Sequence, residues 1–107
     1  MEDIKEQKIK DLIKELSAQF LQRESNHLSL ITVTDAMVSR DSKRMTIFFT
    51  VLPETKEKAA LDFVKRKRSE FREYVKENSR MQRLPFFDFA IDGGEKNRQK
   101  IDEIARL

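Results

Sequence analysis

The residues with the clearest chemical potential in this chain are cations. Lys65, Arg66, Lys67 and Arg68 form an unbroken run, and Arg72, Lys76, Arg80 and Arg83 follow before residue 84. Between residues 65 and 83 only Glu70, Glu73 and Glu77 oppose them. The segment 54–83 holds 10 Lys and Arg against 6 Asp and Glu, a local +4, while the whole chain is +3, so the excess is concentrated there. Such a cluster on an otherwise balanced surface is the electrostatic footprint of a polyanion site, because each phosphate neutralised releases condensed counterions. Four adjacent like charges also point around a helix and cannot all be paired locally. The competing reading is a solvated helix face laced with internal ion pairs. A smaller group, Arg40, Lys43 and Arg44, sits in a polar stretch with Asp41, where Arg40 and Asp41 either pair or leave the arginine for phosphate.

Other chemistry has little to work with. Cysteine is absent, which removes disulfides, thiolate metal sites and cysteine nucleophiles. The single histidine, His27, has no nucleophile beside it and reads as a loop residue. Nothing has metal-ligand spacing. Gly93-Gly94 is a turn and not a phosphate loop, since no Lys-Ser/Thr follows it. The expectation is a protein that is not an enzyme and takes no cofactor and no metal. No apolar run approaches the roughly 20 residues of a membrane span. Met1-Glu2-Asp3-Ile4-Lys5 lacks the layout of a secretory signal and is too acidic for a transit peptide, so a cytoplasmic location is expected.

A chain of 107 residues supports one core, and residues 1–107 are expected to form one domain. Ile9, Leu12, Ile13, Leu16 and Phe20 recur at helical spacing and predict an amphipathic helix over 3–23. Leu30 to Thr34 is β-branched and predicts a strand continuing through Met37 and Val38. After the polar turn Ser39 to Lys43, Met45, Ile47, Phe49 and Val51 alternate with Thr46, Phe48, Thr50 and Leu52, a second strand that Pro53 ends. Phe48, on the less apolar face, either stacks on an unpaired base or packs within the sheet.

Residues 55–78 are helical by pattern, with Ala60, Phe63, Val64, Phe71, Tyr74 and Val75 on one stripe. That stripe should include position 67, which is Lys67. Violations of a local rule tend to mark functional or strained sites. Ser69 is a good N-cap with Glu70 behind it, so a kink near Lys67-Arg68-Ser69 is expected, with a new helix starting near Ser69. The competing reading is one unbroken helix with Lys67 snorkelling its stem over the core. Leu84 to Asp92 predicts a third strand, with Phe87, Phe89 and Ile91 facing one way and Phe86 and Asp88 the other. Residues 95–106 predict a closing helix with Ile101, Ile104 and Ala105 on its inner face. The sum is an α+β domain, a small mixed sheet with helices on one face.

Leu30-Ile31-Thr32-Val33-Thr34-Asp35 followed by Val38-Ser39-Arg40-Asp41 resembles the signature strand and turn of the ribosome-binding factor A family. The likeness continues in register through Met45–Leu52, the helices of Glu57–Asn78, Met81-Gln82-Arg83-Leu84-Pro85 with Phe89, and Arg98–Ile104. It is clear over 28–107 and fainter over the first helix. The resemblance implies a type II KH-like fold with a three-stranded mixed sheet and a kinked central helix pair. It also implies an RNA-binding factor without catalytic activity that binds the small (30S) subunit. Such a factor acts in late 16S rRNA maturation, including processing near the 5′ end. Growth in the cold and release by a maturation GTPase come with it, and a monomer in a bacterial-type cytoplasm is expected. The RNA-binding residues expected are Arg40, Lys43, Arg44, Lys65, Arg66, Lys67, Arg68, Arg72, Arg80 and Arg83, contacting phosphates without reading bases. The helix N-terminus near Ser69 would add backbone N–H donors. A basic module that binds an acidic protein is the alternative.

This sequence departs from the family in two places. The family's kink is an Ala-x-Gly, and here those positions are Lys67, Arg68 and Ser69, so a kink has to be made by capping or by a change of helix axis. Some members also carry a long C-terminal tail, whereas this sequence ends at Leu107, in or just after the closing helix.

Overall fold

The computed structural model describes residues 4–25 and 28–94. In chain order they form α1 (Ile4–Glu24), β1 (Leu30–Val38), β2 (Arg44–Leu52), a short 3₁₀ turn (Glu54–Lys56), α2 (Glu57–Arg66), α3 (Arg68–Asn78) and β3 (Phe86–Ile91). His27 and the expected helix 95–106 lie outside the described residues. The three strands make one sheet in the order β1-β2-β3. β1 runs antiparallel to β2, and β3 returns parallel to β2 after the α2–α3 crossover. β3 begins at Phe86, two residues later than expected, since Leu84 and Pro85 only lead into it.

One bulge keeps β1 in phase with the core. Its register jumps from Val33↔Phe49 to Asp35↔Phe48, so Thr34 has no partner on β2. Ile31 and Val33 precede the bulge, Ala36 and Val38 follow it, and all four join the core packing. Strict alternation would have turned the second pair to the other face. Thr34 then uses its hydroxyl to donate to Asp92, just beyond β3, a link across the width of the sheet.

The helices cover the face that carries Met45, Ile47, Phe49, Val51, Phe87 and Phe89. α1 contributes Ile13, Leu16, Phe20 and Leu21; Ile9 and Leu12 of the expected stripe are only half-buried. Ser17 is buried as well. Its hydroxyl donates to the Ile13 carbonyl at 2.7 Å, which satisfies the group within its own helix. Phe71 sits at the centre, with ring centroids 5.4 Å from Phe20, 5.1 Å from Phe87 and 5.5 Å from Phe89. It therefore ties α1, α3 and β3 together through one tilted and two edge contacts.

The central helix does break, and Lys67 is the break. Its φ of −96° and ψ of 6° lie in the bridge region between helix and extended backbone. Its N–H donates to the Val64 carbonyl at 3.1 Å, and its carbonyl accepts from Phe71 N–H at 2.9 Å. Val64 and Phe71, on either side, are both fully buried. The break corrects one expectation. α3 begins at Arg68, Lys67 takes the cap position, and Ser69 lies inside the helix with no side-chain cap bond.

Replacing Phe71 with Ala should cost about 3–5 kcal/mol of stability, since three rings lose their common neighbour. Urea unfolding of wild type and F71A measures it. A loss below about 1 kcal/mol would show that the core closes without this ring.

Candidate nucleic-acid interface

The hairpin turn is held by one carboxylate. Asp41 Oδ1 accepts from the Ser39 hydroxyl at 2.7 Å and from the Lys43 N–H at 3.0 Å. Ser39 Oγ in turn accepts from Arg44 N–H at 3.0 Å, and Ser42 takes a positive φ of 60°. Asp41 thus serves the turn and does not pair with Arg40, whose side chain is exposed without an ion pair among the described residues. The Ser39 hydroxyl, and then the Lys43 N–H, hold the Asp41 carboxyl below its ordinary pKa. A depressed carboxylate supports the fold above its ordinary value and loses that support as pH falls through the lowered one.

The four-cation run does not act as one unit. Residues three apart share a helix face, and the break at Lys67 separates two directions. Arg66 and Lys67 turn toward the end of α1. Lys67 Nζ lies 3.7 Å from Glu24 Oε1 and 3.3 Å from Glu70 Oε2, and sits over the Phe63 ring. Arg66 lines an open cavity of about 210 Å³ with Lys56, Phe63 and Ile31, and holds no ion pair among the described residues. Lys65 and Arg68 turn the other way, to β3. Arg68 Nη1 lies 3.1 Å and Lys65 Nζ 3.9 Å from Asp88 Oδ1.

Asp88 occupies the outer edge of the sheet. Among the described residues β3 pairs with β2 on one side only. Phe86 and Asp92 donate their N–H groups to β2 or the residue before it, so in a parallel ladder the N–H of Phe89 points outward. That N–H donates to Asp88 Oδ1 at 2.9 Å. One carboxylate therefore blunts a sheet edge and gathers two cations.

More of the expected residues meet around the start of β3. Arg44 pairs with Phe86 in register. Arg72 Nη1 donates to the Pro85 carbonyl at 2.9 Å. The Lys43 carbonyl accepts from Phe86 N–H at 2.8 Å. Arg83 lines a cleft of about 280 Å³ together with Ser42 and Pro85. Arg44, Lys65, Arg68 and Arg72 thus bring their side chains together here, with Arg83 on the adjoining cleft and Lys43 joined through its backbone. Arg40 stands at the nearby turn, Arg80 is exposed in the loop after α3, and Arg66 and Lys67 belong to the α1 side. Phe48 is fully buried, so its ring is closed to a base. Among the described residues the exposed aromatic is Phe86, at 47% accessibility, which the sequence places opposite Phe87 and Phe89 without giving it a role. Its alternation against a buried face was the signal. Among the described residues no three His, Asp or Glu side chains gather as for a metal, and no helix is long and apolar enough to cross a membrane.

A mixed β1-β2-β3 sheet covered on one face by three helices, with a break between the central pair beside the outer strand, is the type II KH-like class of fold. Within it, a family model described as ribosome-binding factor A matches residues 5–105, and the chain belongs to that family. The ribosome-binding factor A of Clavibacter michiganensis is 32% identical over 100 residues, covering 91% of this chain and 60% of that protein. The one from Fervidobacterium nodosum is 32% identical over 77 residues, covering 71% of this chain and 62% of its own length. The chain thus spans about 60% of the relatives it matches. The crystal structure of ribosome-binding factor A from Thermus thermophilus aligns with a TM-score of 0.69 at 23% identity, covering 78% of this chain and 90% of that one.

Two measurements check this geometry. Asp41→Ala should loosen the turn at neutral pH and remove its acid response, whereas wild type opens only below the ordinary carboxylate range. The Lys43 amide shift in an NMR pH titration reports it, and identical titrations would remove Asp41 from the turn's support. Asp88→Asn keeps an acceptor for Phe89 but frees Lys65 and Arg68. Elution from heparin should then move to higher salt, with the log–log salt slope steeper by about 1 to 2. An unchanged slope would mean the two cations do not face the polyanion.

Proposed function

We propose that this chain is a non-catalytic RNA-binding assembly factor for the small (30S) ribosomal subunit, acting in late 16S rRNA maturation and in processing near the 5′ end. The observation that carries the reading is the convergence of Arg44, Lys65, Arg68 and Arg72 on the start of β3, on a chain of the ribosome-binding factor A family. They stand on strand ends, a tied turn and a helix break, so a rigid surface meets structured RNA. Lysine and arginine there contact phosphates and set orientation, and recognition follows RNA shape. Arg66 and Lys56, on the α1 side, offer a second phosphate contact that can align a longer RNA. In this reading the factor acts by holding an RNA conformation. It works as a monomer in the cytoplasm, supports growth in the cold, and leaves the subunit through a maturation GTPase.

Sedimentation with small subunits, large subunits and 70S ribosomes across a salt series tests this. Comigration should be selective for small subunits and fall steeply with salt. Lys43→Ala with Arg83→Ala should lower the salt slope by about 2, without changing which particle is bound. Absence of comigration at low salt, or comigration that survives complete nuclease digestion of the RNA, would overturn the reading.

A further inference from the structure

The two outer strands of the sheet treat their free edges differently. On β3 the outward N–H of Phe89 is closed by Asp88. β1 is the other edge, and among the described residues it pairs only with β2. Phe49 accepts from Asp92 N–H, so its backbone groups face β3. By alternation those of Ile47 and Val51 do as well. Their partners on β1 are Ala36, Val33 and Ile31, which therefore turn their N–H and C=O groups out of the sheet. Ala36 is closed by its neighbour, since its N–H donates to Asp35 Oδ1 at 2.8 Å. Ile31 and Val33 have no such neighbour, because no residue from 25 to 34 is acidic. This half of the edge is left ready for another strand.

A groove runs beside it. Between the last turns of α1 and β1 lies an open cavity of about 430 Å³, lined by Ala18, Leu21, Ile31 and Val33. It adjoins the cavity that Lys56, Phe63 and Arg66 line, since Ser25, Ser29 and Ile31 border both. On the other face of the sheet, Leu30 and Leu52 are exposed and stand opposite each other in register. The open backbone is thus flanked by apolar surface on both faces and by two cations at one end. Lys56 and Arg66 are exposed, with no ion pair among the described residues.

Phosphate is a poor match for such an edge, because it accepts from N–H groups and is repelled by the carbonyl oxygens beside them. A second copy of the chain matches the backbone. The nearest carboxylate its β1 can bring to Lys56 and Arg66 is Asp35, which already holds Ala36 N–H. An extended segment of another protein satisfies donors and acceptors alike, fills the groove with alternate side chains and supplies carboxylates. We propose that the first half of β1 is a strand-addition site for an extended acidic segment of a partner protein. The segment pairs with Ile31 and Val33, sets an apolar side chain in the α1–β1 groove and places carboxylates on Lys56 and Arg66. The site lies apart from the β3 surface and does not depend on the RNA-binding reading. Phosphate and carboxylate compete only for Lys56 and Arg66.

NMR titration of the isotope-labelled protein tests this with two end-blocked peptides, Glu-Glu-Val-Thr-Val-Thr-Val-Glu-Glu and the same peptide with lysine for glutamate. The acidic peptide should bind saturably and slow hydrogen exchange of the Ile31 and Val33 amides by about tenfold or more. Val33→Pro removes an outward N–H without breaking a ladder bond, and should weaken the acidic peptide about tenfold. Lys56→Glu with Arg66→Glu should weaken the acidic peptide about tenfold and bring in the lysine peptide. Circular dichroism checks that each variant is folded, and the charge-reversed pair decides the matter if Val33→Pro does not fold. No saturable binding of the acidic peptide, binding without slowed exchange at Ile31 and Val33, or equal binding of both peptides overturns the proposal. Two further outcomes overturn it by naming another occupant. A wild-type dimer that Val33→Pro dissociates gives the edge to a second copy, and a labelled RNA weakened by Val33→Pro as much as the peptide gives it to RNA.

Discussion

The constraint on which the rest depends is that the apolar stripe of the central helix must pass position 67 without burying an ammonium group. An unbroken helix would carry Lys67 into the space between Val64 and Phe71, both fully buried. Burying an unpaired charge costs far more than breaking a helix for one residue. The chain therefore leaves helical geometry at Lys67 itself, with φ −96° and ψ 6°. Both flanking helices keep their apolar faces on the sheet, and the ammonium emerges between Glu24 and Glu70. No glycine is needed, because the turn is made at negative φ. Lys-Arg-Ser can thus stand where the family resemblance expects Ala-x-Gly.

That break also distributes the charge. Continuous helical phase would have placed Lys65, Arg66, Lys67 and Arg68 around one cylinder, in mutual repulsion. Here Lys65 and Arg68 reach one way, to Asp88 on β3, and Arg66 and Lys67 the other, toward α1. Three of the four meet carboxylates, and two of those, Glu24 and Asp88, are remote in sequence. The pairs are partly exposed and individually weak, so they orient side chains more than they stabilise the fold.

This explains what was legible in the sequence. The break was, because a charge inside a periodic stripe has no ordinary packing solution. The placement of the cap at Ser69 was not. Lys67 hands its carbonyl directly to Phe71 N–H, and α3 starts without a side-chain cap. The strands were readable from alternation, with one lapse. The apolar positions of β1 change parity between Val33 and Ala36, which signals a bulge, although a strand read as continuous conceals it. The basic cluster was visible, whereas its division was not, since Asp88 lies 20 residues from Arg68. Of its two alternatives Phe48 takes the packed one, and the exposed ring is Phe86, to which the pattern assigned no role. Phe48 lies on the central strand and is closed in, while Phe86 lies at the start of an edge strand.

A carboxylate at the heart of a cationic surface looks at first like a defect, since Asp88 cancels part of its charge. Its geometry argues otherwise. Without it the outward N–H of Phe89 would be an open sheet edge, and Arg68 would be a free side chain beside another cation. A free arginine carries about 2 kcal/mol of rotamer entropy, much of which is lost when it is immobilised on a ligand. Asp88 makes that immobilisation part of folding and sets the guanidinium beside Phe86. The site exchanges a unit of net charge for a fixed plane.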